Sequence, residues 1–170
     1  GSQHYVRQML RAIPDARLGT PVRAVRRLPP GDGHGGVMVH TDRGVERFDD
    51  VVLACHTDQS LALLADADAA ERNLLGRIRY QNNRVVLHTD AGVLPRQRRA
   101  WAAWNYERAA DRSREQAAVC LHYLINRLQP LPWRTPVIVS MNPARPVRED
   151  CVLGQWDYAH PVFDRAAVQA

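Results

Sequence analysis

The most reactive pair of neighbouring side chains in this sequence is Cys55–His56, where a thiol and an imidazole are adjacent. A cysteine hydrolase needs the imidazole to take the thiol proton, so the two side chains must lie within hydrogen-bond reach. Because Cys55 ends a run predicted to be a strand, successive side chains there point to opposite faces. The pair is therefore not expected to form a nucleophilic site.

The cysteines and histidines show no spacing that is typical of a metal site. Cys55, Cys120 and Cys151 are far apart, and the seven histidines include no H-E-x-x-H pattern. No metal ligand is assigned, although a zinc site assembled from distant histidines stays open. An odd number of separated cysteines fits reduced thiols, which predicts a cytoplasmic protein.

The charges exclude several classes of function. All 23 basic residues are arginines, the net charge is +5, and the arginines are spread from Arg7 to Arg165 among acidic residues. A nucleic-acid-binding protein gathers its cations on one face, so no nucleic-acid partner is expected. The absence of lysine excludes a Schiff-base or P-loop lysine from this sequence. No apolar run approaches the ~20 residues of a membrane span.

The periodicity of apolar residues predicts an α+β fold with a largely antiparallel sheet. A glycine- and proline-rich loop is expected over 29–36, and a polar linker over 107–116. The predicted elements are a helix over 3–13, a meander of strands over 18–25, 37–40 and 45–48, a buried strand over 51–55, a helix around 61–64 capped by Thr57 or Asp58, a helix over 68–76, strands over 78–89, 100–106, 117–126, 137–141 and 152–158, and a helix starting near 163.

Aromatic residues are concentrated in the second half of the chain. Trp104, Tyr106, Tyr123 and Trp156 lie in predicted strands, where they are candidates to line a substrate pocket. The alternative is that these large side chains simply fill the core. His122 points opposite to its neighbours, so it faces either solvent or a pocket.

Two groups of motifs carry a family resemblance. The first comprises Leu18–Val25, with its Thr-Pro-Val strand, and the hairpin and apolar strand over Arg43–Cys55. This order of elements resembles the middle of flavin-containing amine oxidases. Further strings are similar to a bacterial branch of NAD/FAD-binding, amine-oxidase-like proteins. These strings are Leu87–Asp90, Ala103–Glu107, Leu124–Asn126 and Asp157–Phe163.

The resemblance implies that FAD is the cofactor of a longer parent protein. It implies that the backbone of Val22 meets the adenine, and that Ala54, Cys55 and His56 end a strand beside the dinucleotide. Residues 1–76 would then be a central strip of the FAD-binding domain, and residues 77–170 a substrate-binding domain. The parent would transfer hydride from a small-molecule substrate to the flavin.

This sequence also departs from the family. Its glycines at 31–36 lie between two predicted strands, whereas the pyrophosphate-binding turn joins a strand to a helix. The lysine that many of these enzymes place near flavin N5 is absent. We therefore expect an internal fragment that is inactive alone, retains no FAD, and self-associates where the rest of the parent chain would dock. The alternative is a small non-enzymatic domain that binds a ligand or protein.

Overall fold

A computed structural model describes residues 2–29, 35–107 and 119–169 of the chain. The chain divides into two compact units, Gly1–Arg79 with Phe163–Ala170, and Tyr80–Val162. Each unit contains one antiparallel sheet, so the predicted α+β class is confirmed. The division after Arg79 lies close to the expected one after Gly76, and the roles assigned to the two parts stay predictions.

The first unit contains the predicted meander. Strands β1 (Val22–Leu28), β2 (Gly36–Thr41) and β3 (Gly44–Phe48) pair in that order, with Val25 opposite Val39. The first strand begins at Val22 rather than at Leu18. Gly19 has a positive φ of 61°, which breaks an extended chain, and Pro21 has no amide hydrogen to donate to a ladder. Residues 30–34 of the predicted loop lie outside the described residues.

Three helices of the first unit agree with the sequence pattern. They are α1 (Ser2–Ala12), α2 (Thr57–Leu63) and α3 (Ala69–Gly76). Asp68 caps α3, because its carboxylate accepts a hydrogen bond from the Glu71 amide at 2.8 Å. The cap of α2 is His56, not Thr57 or Asp58 as predicted, since Thr57 already has helical geometry.

The segment over residues 51–55 corrects the sequence analysis. It was expected to be a buried strand, yet it forms no strand, and Val52 is 89% exposed. A strand needs a neighbour that accepts and donates its backbone hydrogen bonds. In the described part of this unit, Val25 forms a parallel bridge with Leu64, which follows the 51–55 segment in the chain. The apolar composition of residues 51–55 was therefore not sufficient to predict that they pair as a strand.

The second unit is built on a five-stranded sheet in the order β5-β6-β7-β4-β8. Its strands are β4 (Arg79–His88), β5 (Trp104–Glu107), β6 (Cys120–Leu124), β7 (Ile138–Met141) and β8 (Val152–Val162). The expected pairing of β5 with β6 is confirmed. Glu107, the first residue of the predicted linker, belongs to β5, whereas residues 108–116 of the linker and residues 117–118 of the predicted strand after it lie outside the described residues.

Three boundaries in this part differ from the prediction. Strand β5 is short because Arg98–Ala100 forms a 3₁₀ turn, and β6 ends in the short helix α4 (Ile125–Leu128). Strand β8 continues through Pro161 instead of ending before it. Since β8 is an edge strand, the missing amide hydrogen of proline is tolerated there. Helix α5 (Arg165–Val168) follows, as predicted.

The core of the second unit lies on one side of this sheet. Val93, Leu94, Leu124 and Ile138 form a buried cluster, against which Trp101 and Val147 pack. We call this side of the sheet the covered face. Alternation along the strands places the neighbouring residues on the opposite side, which we call the open face.

Candidate functional site

The open face carries three of the four predicted pocket residues. Trp104 pairs with Tyr123 across β5 and β6, and Tyr106 lies two positions further along β5. The rings of Trp104 and Tyr123 meet edge to face, with centroids 5.6 Å apart and planes at 75°. Trp104 is 63% exposed and Tyr106 62%, so neither side chain fills the core.

Further apolar side chains extend this face toward the middle of the sheet. In the register of the strands, Tyr123 is opposite Val139, and Leu121 is opposite Met141. Val139 and Met141 of β7 in turn pair with Leu87 and Val85 of β4. Val85 is buried, and the other residues of this set are half-buried. The result is an apolar surface with an aromatic edge, a lining that suits an apolar or aromatic ligand.

Trp156 lies apart from these residues. It belongs to β8, at the opposite edge of the sheet from β5, about 19 Å away at the usual strand spacing. Its indole covers Gly154 so closely that a Cβ there would lie 2.3 Å from the ring. The sheet thus brings Trp104, Tyr106 and Tyr123 together and places Trp156 elsewhere.

The predicted cofactor-binding residues all belong to the first unit. Val22 begins β1 and borders a cleft of about 250 Å³ whose lining also includes Thr20, Thr41 and Phe48. Ala54 and Cys55 are exposed. The Cys55 thiol lies 3.2 Å from the Ser60 hydroxyl. The expectation that strand geometry separates Cys55 from His56 no longer applies, because no strand forms there.

On the covered face, a chain of polar side chains crosses four neighbouring strands. The Ser140 hydroxyl of β7 lies 2.6 Å from His88 Nε2 on β4 and 2.6 Å from His122 Nδ1 on β6. All three residues are at most 1% exposed. His122 Nε2 continues the chain to Glu107 Oε2 on β5, at 3.0 Å. His122 therefore faces this interior rather than solvent.

The hydrogen bonds fix the tautomers of both histidines. The Asp90 amide donates to His88 Nδ1 at 3.1 Å, so the hydrogen of a neutral His88 is on Nε2 and is donated to Ser140. The Ser140 hydroxyl then donates to His122 Nδ1, and His122 Nε2–H donates to Glu107. Burial lowers the pKa of His88, which Asp90 partly opposes and His122 reinforces. His88 is thus held neutral.

The carboxylate of Asp90 stabilises the loop at the end of β4. Burial by itself raises the pKa of Asp90, but the hydrogen bonds from the amides of Gly92 and Arg148, with the charge of Arg148 and the nearby His88, lower it overall. These bonds are 2.9 and 3.2 Å long. The same loop therefore positions the Asp90 amide that orients His88.

Three potential metal-binding atoms meet at the β5–β6 end of the polar chain. Cys120 Sγ lies 3.7 Å from His122 Nε2 and 3.9 Å from Glu107 Oε2. Burial, assisted by Glu107, raises the pKa of the Cys120 thiol, although a backbone hydrogen bond with Ala144 opposes the shift. Arg145 Nε approaches the other oxygen of this carboxylate, Glu107 Oε1, at 3.4 Å.

A cleft of about 410 Å³ opens onto this end of the chain. Its lining includes Tyr106, Glu107, His122 and Arg145, together with the turn from Gly92 to Arg96. The His122 imidazole is almost completely buried, yet it and the carboxylate border this cleft. A small ligand or ion can therefore reach the Glu107–His122 pair.

The sequence analysis did not identify this polar cluster, although part of the signal was present. Cys120 and His122 are two residues apart in a predicted strand, and that spacing puts both side chains on one face. Glu107 and Ser140 join them only because β5 and β7 flank β6. Motif spacing along the chain cannot reveal ligands that come from adjacent strands.

No protein-family model and no curated protein matches the chain. Among solved structures, a crystal structure of the CLA-producing fatty acid isomerase from P. acnes is similar, with a TM-score of 0.48 and 17% identity. The similarity covers 82% of this chain and 34% of the isomerase chain, so the chain spans about a third of that protein.

Within the described residues, no helix is long and apolar enough to cross a membrane.

Proposed function

We propose that this chain is the central part of an FAD-dependent oxidoreductase of the amine-oxidase type. Two features support the proposal: the family resemblance of the motifs from Leu18 to Phe163, and the apolar open face of the sheet. The observation that carries it is the aromatic group of the exposed Trp104 and Tyr106 and the half-buried Tyr123, which suits the wall of a substrate site. In the parent protein, this wall would exclude water and orient an apolar substrate.

The residues of the first unit fit only part of an FAD site. Val22 is 37% exposed at the start of β1, and the segment ending in Ala54 and Cys55 is also exposed, which is compatible with a nucleotide lying beside them. FAD would accept hydride from the substrate when bound. The glycine-rich turn that binds pyrophosphate is not among these elements, so we expect the 170-residue chain to retain no FAD and to be inactive alone.

Exposed apolar side chains give a second expectation. Tyr5 and Met9 on α1 are each 60% exposed, and Val52 is almost fully exposed. Such surface is normally covered, either within a larger protein or by association. We expect the chain to form dimers or larger species, measurable by light scattering at increasing concentration. A chain that stays monomeric at high concentration contradicts the proposal that a larger protein covers this surface.

The direct test uses the full reading frame that encodes this chain. The purified product should carry flavin, visible by its absorbance, and a substrate should bleach that absorbance. Replacing Trp104 with alanine should weaken substrate binding about tenfold or more while the flavin content stays unchanged. Trp133→Ala is the matched control, because Trp133 is a similarly exposed tryptophan outside the strands of the sheet.

Two results would overturn the proposal. One is a full-length product that carries no flavin, and the other is an equal effect of Trp104→Ala and Trp133→Ala.

The second candidate function is a non-enzymatic domain that binds a ligand or protein through the same open face. The exposed aromatic edge of the sheet suits that function equally well. The reading frame upstream distinguishes the two: a strand, a glycine-rich turn and a helix there indicate the oxidoreductase, and their absence indicates the binding domain.

A further inference from the structure

We infer that Glu107, Cys120 and His122 form a binding site for a divalent transition-metal ion, with Zn²⁺ as the best match. The three residues offer a carboxylate oxygen, a thiol sulfur and an imidazole nitrogen. These are the atom types that bind zinc in proteins, and the mixed set favours zinc over the oxygen-binding cations Mg²⁺ and Ca²⁺. The three ligands lie on the covered face of the sheet, and the inference does not depend on the flavin proposal.

The distances between the three donor atoms suit a zinc ion. The donors form a triangle with sides of 3.0, 3.7 and 3.9 Å. A point about 2.1 Å from all three atoms lies at its centre, close to the usual zinc–nitrogen, zinc–oxygen and zinc–sulfur lengths of about 2.0–2.3 Å. Side-chain movements of a few tenths of an ångström would complete a tetrahedral arrangement.

The backbone holds the donors in place before any ion binds. Cys120 and His122 lie two positions apart on β6, on the same face of the strand. Glu107 is directly opposite Cys120 in the β5–β6 register, so two paired strands supply all three ligands. Sites built on strands are held more precisely than sites on loops.

The surrounding residues supply the contacts that usually orient metal ligands. With an ion on His122 Nε2, the imidazole hydrogen moves to Nδ1 and is donated to the Ser140 oxygen, 2.6 Å away. The hydrogen of the Ser140 hydroxyl then loses His122 as its acceptor, which lowers the metal affinity without abolishing it. Arg145 contacts Glu107 Oε1 and leaves Oε2 to bind the ion.

The fourth position of the ion would face the neighbouring cleft. Glu107 and His122 both border this cleft, whereas Cys120 is buried behind them. Three protein ligands and one open position are typical of zinc sites that bind water or a substrate. The cleft also provides a path by which the ion enters.

Cobalt binding to the full 170-residue chain tests the inference. Co²⁺ replaces Zn²⁺ in such sites, and a cobalt–thiolate bond gives an intense charge-transfer absorption band. We expect one Co²⁺ per chain with this band, and displacement of Co²⁺ by added Zn²⁺. Cys120→Ser should remove the band, and Glu107→Gln should weaken binding at least about tenfold.

The other cysteines provide matched controls. Cys55 is exposed and Cys151 is partly exposed, and neither belongs to the cluster, so Cys55→Ser and Cys151→Ser should keep both the band and the affinity. Circular dichroism of each variant establishes that it is folded. The inference is overturned if the folded wild-type chain binds no Co²⁺ or Zn²⁺, if the bound ion shows no thiolate band, or if Cys55→Ser removes the band as Cys120→Ser does.

Discussion

Replacing Ser140 with alanine removes the hydroxyl that contacts His88 and His122 at the same time. Both contacts are 2.6 Å long, and the three residues are almost completely buried. Alanine leaves two imidazole nitrogens without these hydrogen bonds, in a space too small to admit water easily. An unsatisfied buried polar group costs about 1–3 kcal/mol, so we expect the free energy of unfolding to fall by about 2–6 kcal/mol.

Urea denaturation measures this loss, with Ser60→Ala as the control. Ser60 is also buried, and its hydroxyl makes a weak hydrogen bond with the Cys55 thiol at 3.2 Å. Its loss should cost about 1 kcal/mol or less. If Ser140→Ala destabilises the chain no more than Ser60→Ala does, the hydroxyl does not bridge the two histidines and the assignment of their tautomers fails.

Three further predictions follow from single residues. His88 is held neutral by burial and its pKa is lowered, so only the unfolded chain takes up its proton below about pH 6.5. The free energy of unfolding, followed by urea denaturation, should therefore fall by up to about 1.4 kcal/mol per pH unit as the pH is lowered below about 6.5, and His88→Asn should flatten this slope. Gly36 has a φ of 149°, and a Cβ there would lie 2.8 Å from the Phe48 carbonyl oxygen. Gly36→Ala should lower the melting temperature, whereas Gly35→Ala, where a Cβ meets open space, should not. Asp68→Ala should cost about 1 kcal/mol in urea denaturation, because α3 loses its cap; an unchanged midpoint would exclude that role.

Local patterns predicted most of the individual elements. The helices α1 and α3 follow from their apolar spacing, and Asp68 and Gly76 mark the ends of α3. The meander follows from short β-branched runs separated by turns, with Gly44 closing a two-residue turn. Such signals depend on residues a few positions apart, so they can be read without knowledge of the tertiary structure.

The segment over 51–55 shows where this approach fails. Its apolar composition is that of a buried strand, but composition does not say which backbone supplies the hydrogen bonds. In the structure these residues are largely exposed, and no strand among the described residues pairs with them. The same limit applies to Trp156, whose aromatic character suggested a place beside Trp104 although three strands separate β8 from β5.

The sequence by itself determined most of the element types, the α+β class and the alternation that puts Trp104 and Tyr106 on one face of a strand. The tertiary structure decided which strands are neighbours, and so it alone brought Glu107, His122, Ser140 and His88 into one buried chain. The physical reason is that side-chain direction follows from backbone geometry over two residues, whereas strand order depends on contacts between residues as far apart as the 77 positions from Asn83 to His160.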